Sequence, residues 1–532
     1  MSLLSFHPAF AMTLASLALI ASACTGSAYD PDLDGDATEP ATTPPSVSSN
    51  PANTPASTAR LATLSVTGGT LSPSFSATQL AYNAPTGELT VAATAADDGT
   101  VDFELRTLEE HAVTSDLSSP WSGSLSSGHQ LVAMVTSADG TATAEYPLVG
   151  LPGDFPTVTA TVHGQPSPGW IWLGNVGEVP GKASYALAVD ETGVVRWYEH
   201  TAGPPFDVRV QDDGTLSWIG GYEDQHGALL FDDQLNLSHT YHPPTTTASG
   251  TPVGLDVHEF KVLPTGNVLL LGLANRTVDM TPWGGKPDTT VIDNVLYELD
   301  ADGDVVFEWD SADHMPFDEL PSYLLEGLAY ADVWEYAHIN SIDVDPDDGH
   351  YVMSVRFTSE VYKVAKTATT LNGEQFEPGD IVWRLGGEQS DFDLSSDPRT
   401  DWDGFSLQHS ARPLPGGRIM VFDNSLRWSW TTTGDARYVE YTLDTATMTA
   451  TLYDDWELGG AGGVDCCGSV QRTSDGHTVI GWGDLDMSKP GSPVATEISE
   501  TGERLLDIYL PGFMSYRAWK SGPGVALPFG SD

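Results

Sequence analysis

Between residues 169 and 482 the chain repeats one pattern six times: a glycine that turns the backbone, then a short apolar run. The copies are Gly169-Trp170-Ile171-Trp172-Leu173, Gly214-Thr215-Leu216-Ser217-Trp218-Ile219, Gly266-Asn267-Val268-Leu269-Leu270-Leu271, Gly349-His350-Tyr351-Val352-Met353, Gly417-Arg418-Ile419-Met420-Val421-Phe422 and Gly476-His477-Thr478-Val479-Ile480. A second series of six lies between them and reads as strand, Asp or Gly turn, strand: Tyr185 to Tyr198, Ala228 to Tyr241, Val295 to Trp309, Val361 to Trp383, Tyr438 to Trp456 and Ala495 to Tyr509. Repeats of this kind constrain a fold strongly, because each unit must bury its apolar face against the next. Val, Ile, Thr, Tyr and Trp crowd the runs while Gly, Asp, Asn and Pro punctuate them, which predicts strands. Helical periodicity is confined to short stretches such as Phe317 to Trp334. Six units of about four strands predict an all-β chain whose main body, residues 151–532, is a six-bladed β-propeller, since ring closure leaves only short, protected strand edges. A β-sandwich of this length is the alternative, and the interleaved double series argues against it. In a propeller the Gly-turn runs would be the innermost or next-to-innermost strands, so the residues before each turn would gather at one mouth of the channel.

Three histidines stand before such turns. His258 and His409 each precede their turn glycine by eight residues, and His338 precedes its own by eleven. Equivalent positions in a closed array converge on one axis, which predicts a reaction centre rather than three unrelated side chains. Asn340 follows His338 by two residues, so on a strand both face one side. Arg356 follows in the strand after the same turn, and an arginine in an apolar strand needs a partner or a polar channel. A neutral imidazole is a good nucleophile near neutral pH, and an arginine fork matches the oxygens of a sulfuryl or phosphoryl group. His409, His258, His338, Arg356 and Asn340 are therefore the candidate catalytic set. No Ser-His-Asp motif, Gly-rich phosphate loop or metal-ligand spacing competes with it, so neither a cofactor nor a metal is expected. His314, His350 and His477 read as solvated turn or loop residues, Arg427 as a surface arginine, and Phe405 as an aromatic that could stack on a phenol near the channel.

The formal net charge is −52, with only 22 Lys and Arg, so nucleic acid and anionic lipid surfaces are excluded as partners. Such acidity favours solubility and is consistent with a salty habitat. Residues 9–23 are apolar and small, and residues 1–24 read as an export signal. Cys24, after Ala21-Ser22-Ala23, resembles a bacterial lipoprotein processing site, which would tether the protein to a membrane; plain cleavage near Ala23 is the alternative. Residues 25–58, rich in Thr, Pro, Ser, Ala and Asp, form a linker too polar to fold. The expected location is periplasmic or cell-surface. Residues 59–150 carry short strands between turn residues, from Leu61-Ala62-Thr63-Leu64 to Val132-Ala133-Met134-Val135, and predict a small β-sandwich. They resemble the cadherin-like module of bacterial surface proteins, which implies a spacer or adhesive role. The remaining cysteines, Cys466 and Cys467, are neighbours, cannot form an ordinary disulfide without strained backbone, and are expected to pack as buried apolar residues.

The segments around His258, His338-Ile339-Asn340-Ser341, Arg356, Gln408-His409-Ser410, Val421-Phe422-Asp423-Asn424 and Trp383-Arg384-Leu385-Gly386-Gly387 resemble the bacterial aryl sulfate sulfotransferases that work without phosphoadenosine phosphosulfate. The resemblance covers roughly residues 155 to 515 and implies a six-bladed propeller with its site at the centre. It implies that His409 becomes sulfated by a small-molecule aryl sulfate donor and passes the group to a phenolic acceptor. His258, His338, Asn340 and Arg356 would then bind the sulfuryl oxygens, one helper histidine also moving a proton. Better-known members carry a disulfide near the site, and the sequence offers no spaced cysteine pair to match it. The long acidic stretch from Arg276 to Trp334 would be a lid or an interface. Two other functions compete: a surface propeller that binds a ligand or partner without chemistry, and a hydrolase or phosphotransferase using the same residues.

Overall fold

A computed structural model describes residues 59–220, 226–232, 235–326, 328, 331–399, 404–427, 432–485 and 491–522. The expected export signal (1–24) with Cys24, the linker (25–58) and the last ten residues lie outside the described residues.

The first described strands build two sheets. Leu61–Thr67, Gly87–Ala95 and Trp121–Leu125 form one; Tyr82–Pro85, Thr143–Leu151, His129–Thr136, Thr100–Thr107 and Ala112–Ser118 form the other. Alternating apolar residues from both, among them Leu64, Val91, Phe103, Leu131 and Leu148, close a separate core. The module touches the next sheet through a reciprocal pair, Asn83 Nδ2 donating to the Val195 carbonyl (2.8 Å) and the Val195 N–H to Asn83 Oδ1 (3.1 Å).

Among the described residues, those from 159 onward form a separate hairpin of Thr369–Leu371 with Glu374–Phe376 and six sheets, each with an antiparallel core of four strands. Their innermost strands are Trp519–Ser521, Pro205–Val210, Val253–Val262, Ile339–Val344, His409–Leu414 and Ser469–Arg472. Each of these touches the next around a complete circle, so the sheets are the blades of a closed ring. We number the blades one to six in that order. The Gly-turn runs are the second strand of every blade, one step out from the axis. Two strands lock the ring. Trp519–Ser521, near the C-terminus, pairs inside blade one against Trp170–Gly174, and Thr159–Val162 pairs outside blade six against Arg504–Tyr509. Trp172, Trp197, Trp218, Trp309 and Trp482 are fully buried in the blades and supply much of the apolar area that holds them together.

The stretch from Arg276 to Trp334 is mostly blade three, whose second and third strands extend to Val268–Val278 and Thr289–Leu299. Beyond the fourth strand, Val305–Asp310, it turns through short helices at Ser311–His314 and Ser322–Leu325 and returns as Val333–Glu335, parallel to the third strand. The turns expected to be solvated are packed instead: His350 Nδ1 takes the Lys366 N–H (3.1 Å), His477 Nδ1 meets Glu497 (2.9 Å), and His314 stacks on Trp309 at 5.0 Å. Phe405 lies buried in the core beside Tyr441, while Arg427 is exposed.

Candidate active site

Four of the inner strands lose register, three of them at candidate residues. The pairing slips between Phe206 and Arg209, Leu255 and Phe260, Ile339 and Ser341, and His409 and Arg412. Such bulges re-aim side chains that a regular strand would turn into the blade. The backbone around them includes non-glycine residues in the left-handed region: His338 (φ 53°), Leu407 (48°), Ser410 (54°), Ser425 (54°) and Cys467 (71°). Conformations of this kind are costly and collect at functional sites.

The bulges bring the five predicted residues into one buried centre. The His258 and His338 rings meet edge to face at 4.8 Å. His338 is the residue before its strand, and Arg356 the first beyond the paired strand, where its N–H donates to the His338 carbonyl (3.2 Å). Arg356 is fully buried, and one of its Nη groups donates to the Asp465 carbonyl. Burial brings its pKa down to about 10, against the pull of Glu335 and Asp465, so it stays a cation at neutral pH. Asn340 is also fully buried; its Nδ2 donates to the Gln408 carbonyl (2.7 Å), pinning the backbone before His409, while its Oδ1 has no hydrogen-bond partner.

His409 is held at both ring nitrogens. Asn424 Nδ2 donates to the Val464 (3.0 Å) and Cys467 (3.2 Å) carbonyls, which leaves Asn424 Oδ1 to accept from His409 Nδ1 at 2.8 Å. The proton therefore sits on Nδ1 and the lone pair on Nε2. That lone pair accepts the Cys467 N–H at 3.1 Å. Burial pushes the His409 pKa well below the usual histidine value, and Arg356, His338 and His258 push the same way, so the ring is neutral. Burial also lowers the pKa of His338, opposed by Glu335, whose carboxylate meets its Nδ1 at 2.9 Å. Asp256 takes both the Nδ1 and the backbone N–H of His258.

Sequence reasoning missed Asp256, Glu335, Asn424 as the clamp, and Cys467 as a donor. Asp256 and Glu335 stand two and three residues before their histidines, a spacing that could have signalled them. Cys466 and Cys467 are buried in the core as expected, but they are also bonded to each other. The left-handed backbone at Cys467, followed by Gly468 at φ 106°, accommodates the adjacent pairing. Two aromatics also face the centre: Phe357 stacks on His338 at 4.6 Å, and Tyr516 packs against His258 at 5.8 Å. The Tyr516 hydroxyl is buried without a hydrogen-bond partner. Over this wall, Tyr323 from the short helices donates its hydroxyl to the Phe357 carbonyl at 3.0 Å.

Beneath the histidines the channel is closed by charge. Glu259 meets Arg209 (3.0 Å), Arg412 (2.8 Å) and Arg517 (2.9 Å), and Asp207 meets Arg517 (2.9 Å). Burial alone would raise the Glu259 pKa, but the three guanidiniums hold it at about 2. Arg517 reaches up to the Asn340 carbonyl (2.6 Å), tying the plug to the site above it.

The arylsulfotransferase (ASST) family profile matches residues 176–514, a span that includes every residue of this centre except Tyr516. No curated protein matches the chain. Solved structures with similar arrangements include the periplasmic gluconolactonase PpgL of Pseudomonas aeruginosa, at 12% identity, covering 67% of this chain and 100% of its own, with a TM-score of 0.32. Another is a putative 6-phosphogluconolactonase of Bacteroides fragilis, at 11% identity, covering 80% and 99%, with a TM-score of 0.29. A neuraminidase-like protein of a flat-faced bat influenza virus follows at 8% identity, covering 67% and 92%, with a TM-score of 0.26.

Proposed function

The chain belongs to the arylsulfotransferase family, and from that premise we propose that it transfers a sulfuryl group from an aryl sulfate ester to a phenol through a sulfohistidine on His409. The observation that carries this reading is the clamp on His409: a neutral, buried ring with its proton fixed on Nδ1 by Asn424 and its lone pair left on Nε2. In the first half-reaction Nε2 attacks sulfur, the N–S bond forms, and the bond from sulfur to the aryl oxygen breaks. The electron pair leaves with the phenolate, which takes a proton from His338. In the second, the acceptor phenol gives its proton back to His338, its oxygen attacks sulfur, the N–S bond breaks, and His409 returns to its neutral form.

The neighbours suit these steps. Once Nε2 is committed to sulfur, the Cys467 N–H that it accepted at 3.1 Å is free to meet a sulfuryl oxygen. Arg356 supplies a further donor where charge develops, in a site without bulk water. Glu335 behind His338 favours its protonated form and opposes part of the effect of burial. Phe357 and Tyr516 offer aromatic faces to a phenyl ring. The test is an assay of the soluble chain with 4-nitrophenyl sulfate, with and without added phenol. Nitrophenol release that depends on phenol and is lost in His409→Ala is the expected result. Release to water alone at the same rate would favour a hydrolase, and no release from any aryl sulfate would favour a propeller that only binds.

The exported, lipid-anchored location read from residues 1–24 belongs with this proposal: an enzyme acting on small phenolic esters outside the cytoplasm, held off a membrane by residues 25–58.

A further inference from the structure

One cavity lined by cations does not touch His409. It lies below the Glu259 plug, at the other end of the channel, with a volume of about 340 Å³. The inner strands that carry the site also line it: Arg412 is three residues beyond His409, Lys261 three beyond His258, and Asp343 three beyond Asn340. Three strand residues span about 10 Å. Arg209, Arg472 and Lys520 complete a set of five cations on the lining, in a chain that has only 22 Lys and Arg among 532 residues.

The cations are held by carboxylates, but most of those stand behind them. Arg412 and Arg209 lean on Glu259, Arg472 on Glu440 (2.6 Å) and Lys520 on Glu497 (2.5 Å); none of these three carboxylates lines the cavity, and all are fully buried. Only Asp212 and Asp343 face it, and Asp343 is shared by Lys261 (2.5 Å) and Arg412 (3.5 Å). A guest in the cavity therefore meets cations first. Arg209, itself buried, has a Nε–H with no hydrogen-bond partner, although a buried donor of this kind costs about 1–3 kcal/mol if nothing accepts from it. Arg209 and Arg412 both lie over the Trp519 ring, at 5.4 and 4.9 Å, which fixes the planes of their forks.

We propose that this cavity is a second binding site, for a small oxyanion of the sulfate or phosphate class. Guanidinium forks on a rigid support match tetrahedral oxygens, and two ammonium groups add charge without fixing direction. The volume, at about 30 Å³ per water, holds such an anion with part of its hydration. Across a protein of net charge −52, this lining is where an anion could be concentrated rather than repelled. The site is separate from the transfer chemistry, because Glu259, Arg412 and Arg517 close the channel between them.

The test is equilibrium dialysis of the full chain against radiolabelled sulfate at fixed ionic strength, in a variant with both His409→Ala and Arg356→Ala so that the upper site is disabled. That variant should still bind one sulfate, displaced by inorganic phosphate. Adding Lys261→Gln and Arg472→Gln should weaken binding about tenfold or more, as expected for lost charge-assisted hydrogen bonds. No binding of either anion, or binding unmoved by the two cavity substitutions, would overturn the proposal. A second measurement uses the unaltered chain: sulfate, compared with chloride at equal ionic strength, should slow acetylation of Lys261 mapped by peptide mass spectrometry, and equal labelling would overturn it as well. Neither experiment depends on sulfuryl transfer, so its outcome is independent of the assigned activity.

Discussion

Asn424→Ala is the substitution whose effect can be worked out most fully from the structure. Asn424 makes three buried hydrogen bonds: it accepts from His409 Nδ1 and donates to the Val464 and Cys467 carbonyls. Losing the first removes the preference for the Nδ1–H tautomer by about 1 kcal/mol, about a fivefold change in the ratio of tautomers. Losing the other two frees the turn that carries the Cys467 N–H, now 3.1 Å from His409 Nε2. A displacement of about 1 Å in such a group typically costs about 10²-fold in rate. The expected result is a fall in kcat of about 10²-fold for phenol-dependent release of nitrophenol from 4-nitrophenyl sulfate, with KM for the donor little changed. Stability also falls, because the Nδ1–H and two carbonyls are left buried at about 1–3 kcal/mol each if they find no other partner. Thermal unfolding must therefore show a folded protein at the assay temperature. If a folded Asn424→Ala variant keeps kcat within about twofold of the parent, the tautomer argument is wrong.

Arg356→Ala should lower turnover by about 10²- to 10³-fold, the usual cost of losing a preorganised donor to developing charge, measured in the same assay. The pH dependence follows from the directions of the histidine shifts. His409 acts as its neutral form, and its pKa is well below 6.5, so protonation of His409 removes activity only well below pH 6.5; a profile that loses half its rate at 6.5 through this group would contradict the burial argument. Glu335 raises the proton affinity of His338, so Glu335→Gln should lower that pKa further and shift the proton-transfer limb of kcat toward more acid pH, whereas an unmoved or alkaline-shifted limb would remove His338 from the proton-carrying role. Alkylation of the denatured, unreduced chain should leave both Cys466 and Cys467 unlabelled, and reduction beforehand should expose both.

The double series of Gly turns and hairpins was enough to read the ring, because each blade needs the same two features at the same spacing: a tight turn into the second strand and a hairpin beyond it. The third and fourth strands and the second-strand positions follow that pattern in all six blades. The innermost strands were less legible. They are bulged at Asp207, Asp256 to Glu259, Asn340 and Ser410, so period-two alternation fails around the candidate site. His338 illustrates the consequence: a strand reading aligns it with Asn340, but at φ 53° it precedes the strand, while Asn340 turns to the Gln408 carbonyl. The three histidines could still be picked out as a set, because their place before the Gly turn survives the bulge. Asn424 and Cys467 reach His409 from blade five's second strand end and the approach to blade six, contacts that no local spacing encodes. The inner strand of blade one comes from residues 519–521, about 350 residues from its neighbour, and sequence order gave no sign of it.

The central claim is a covalent sulfuryl group on His409. Mixing the protein with 4-nitrophenyl sulfate without acceptor, quenching rapidly and mapping peptides under conditions that preserve N–S bonds tests it directly. The account predicts a burst of nitrophenol equal to the enzyme concentration, a sulfuryl group on the peptide carrying His409, and its loss when phenol is added with formation of phenyl sulfate. A burst with the group on another residue, or transfer to phenol that persists in His409→Ala, would contradict it.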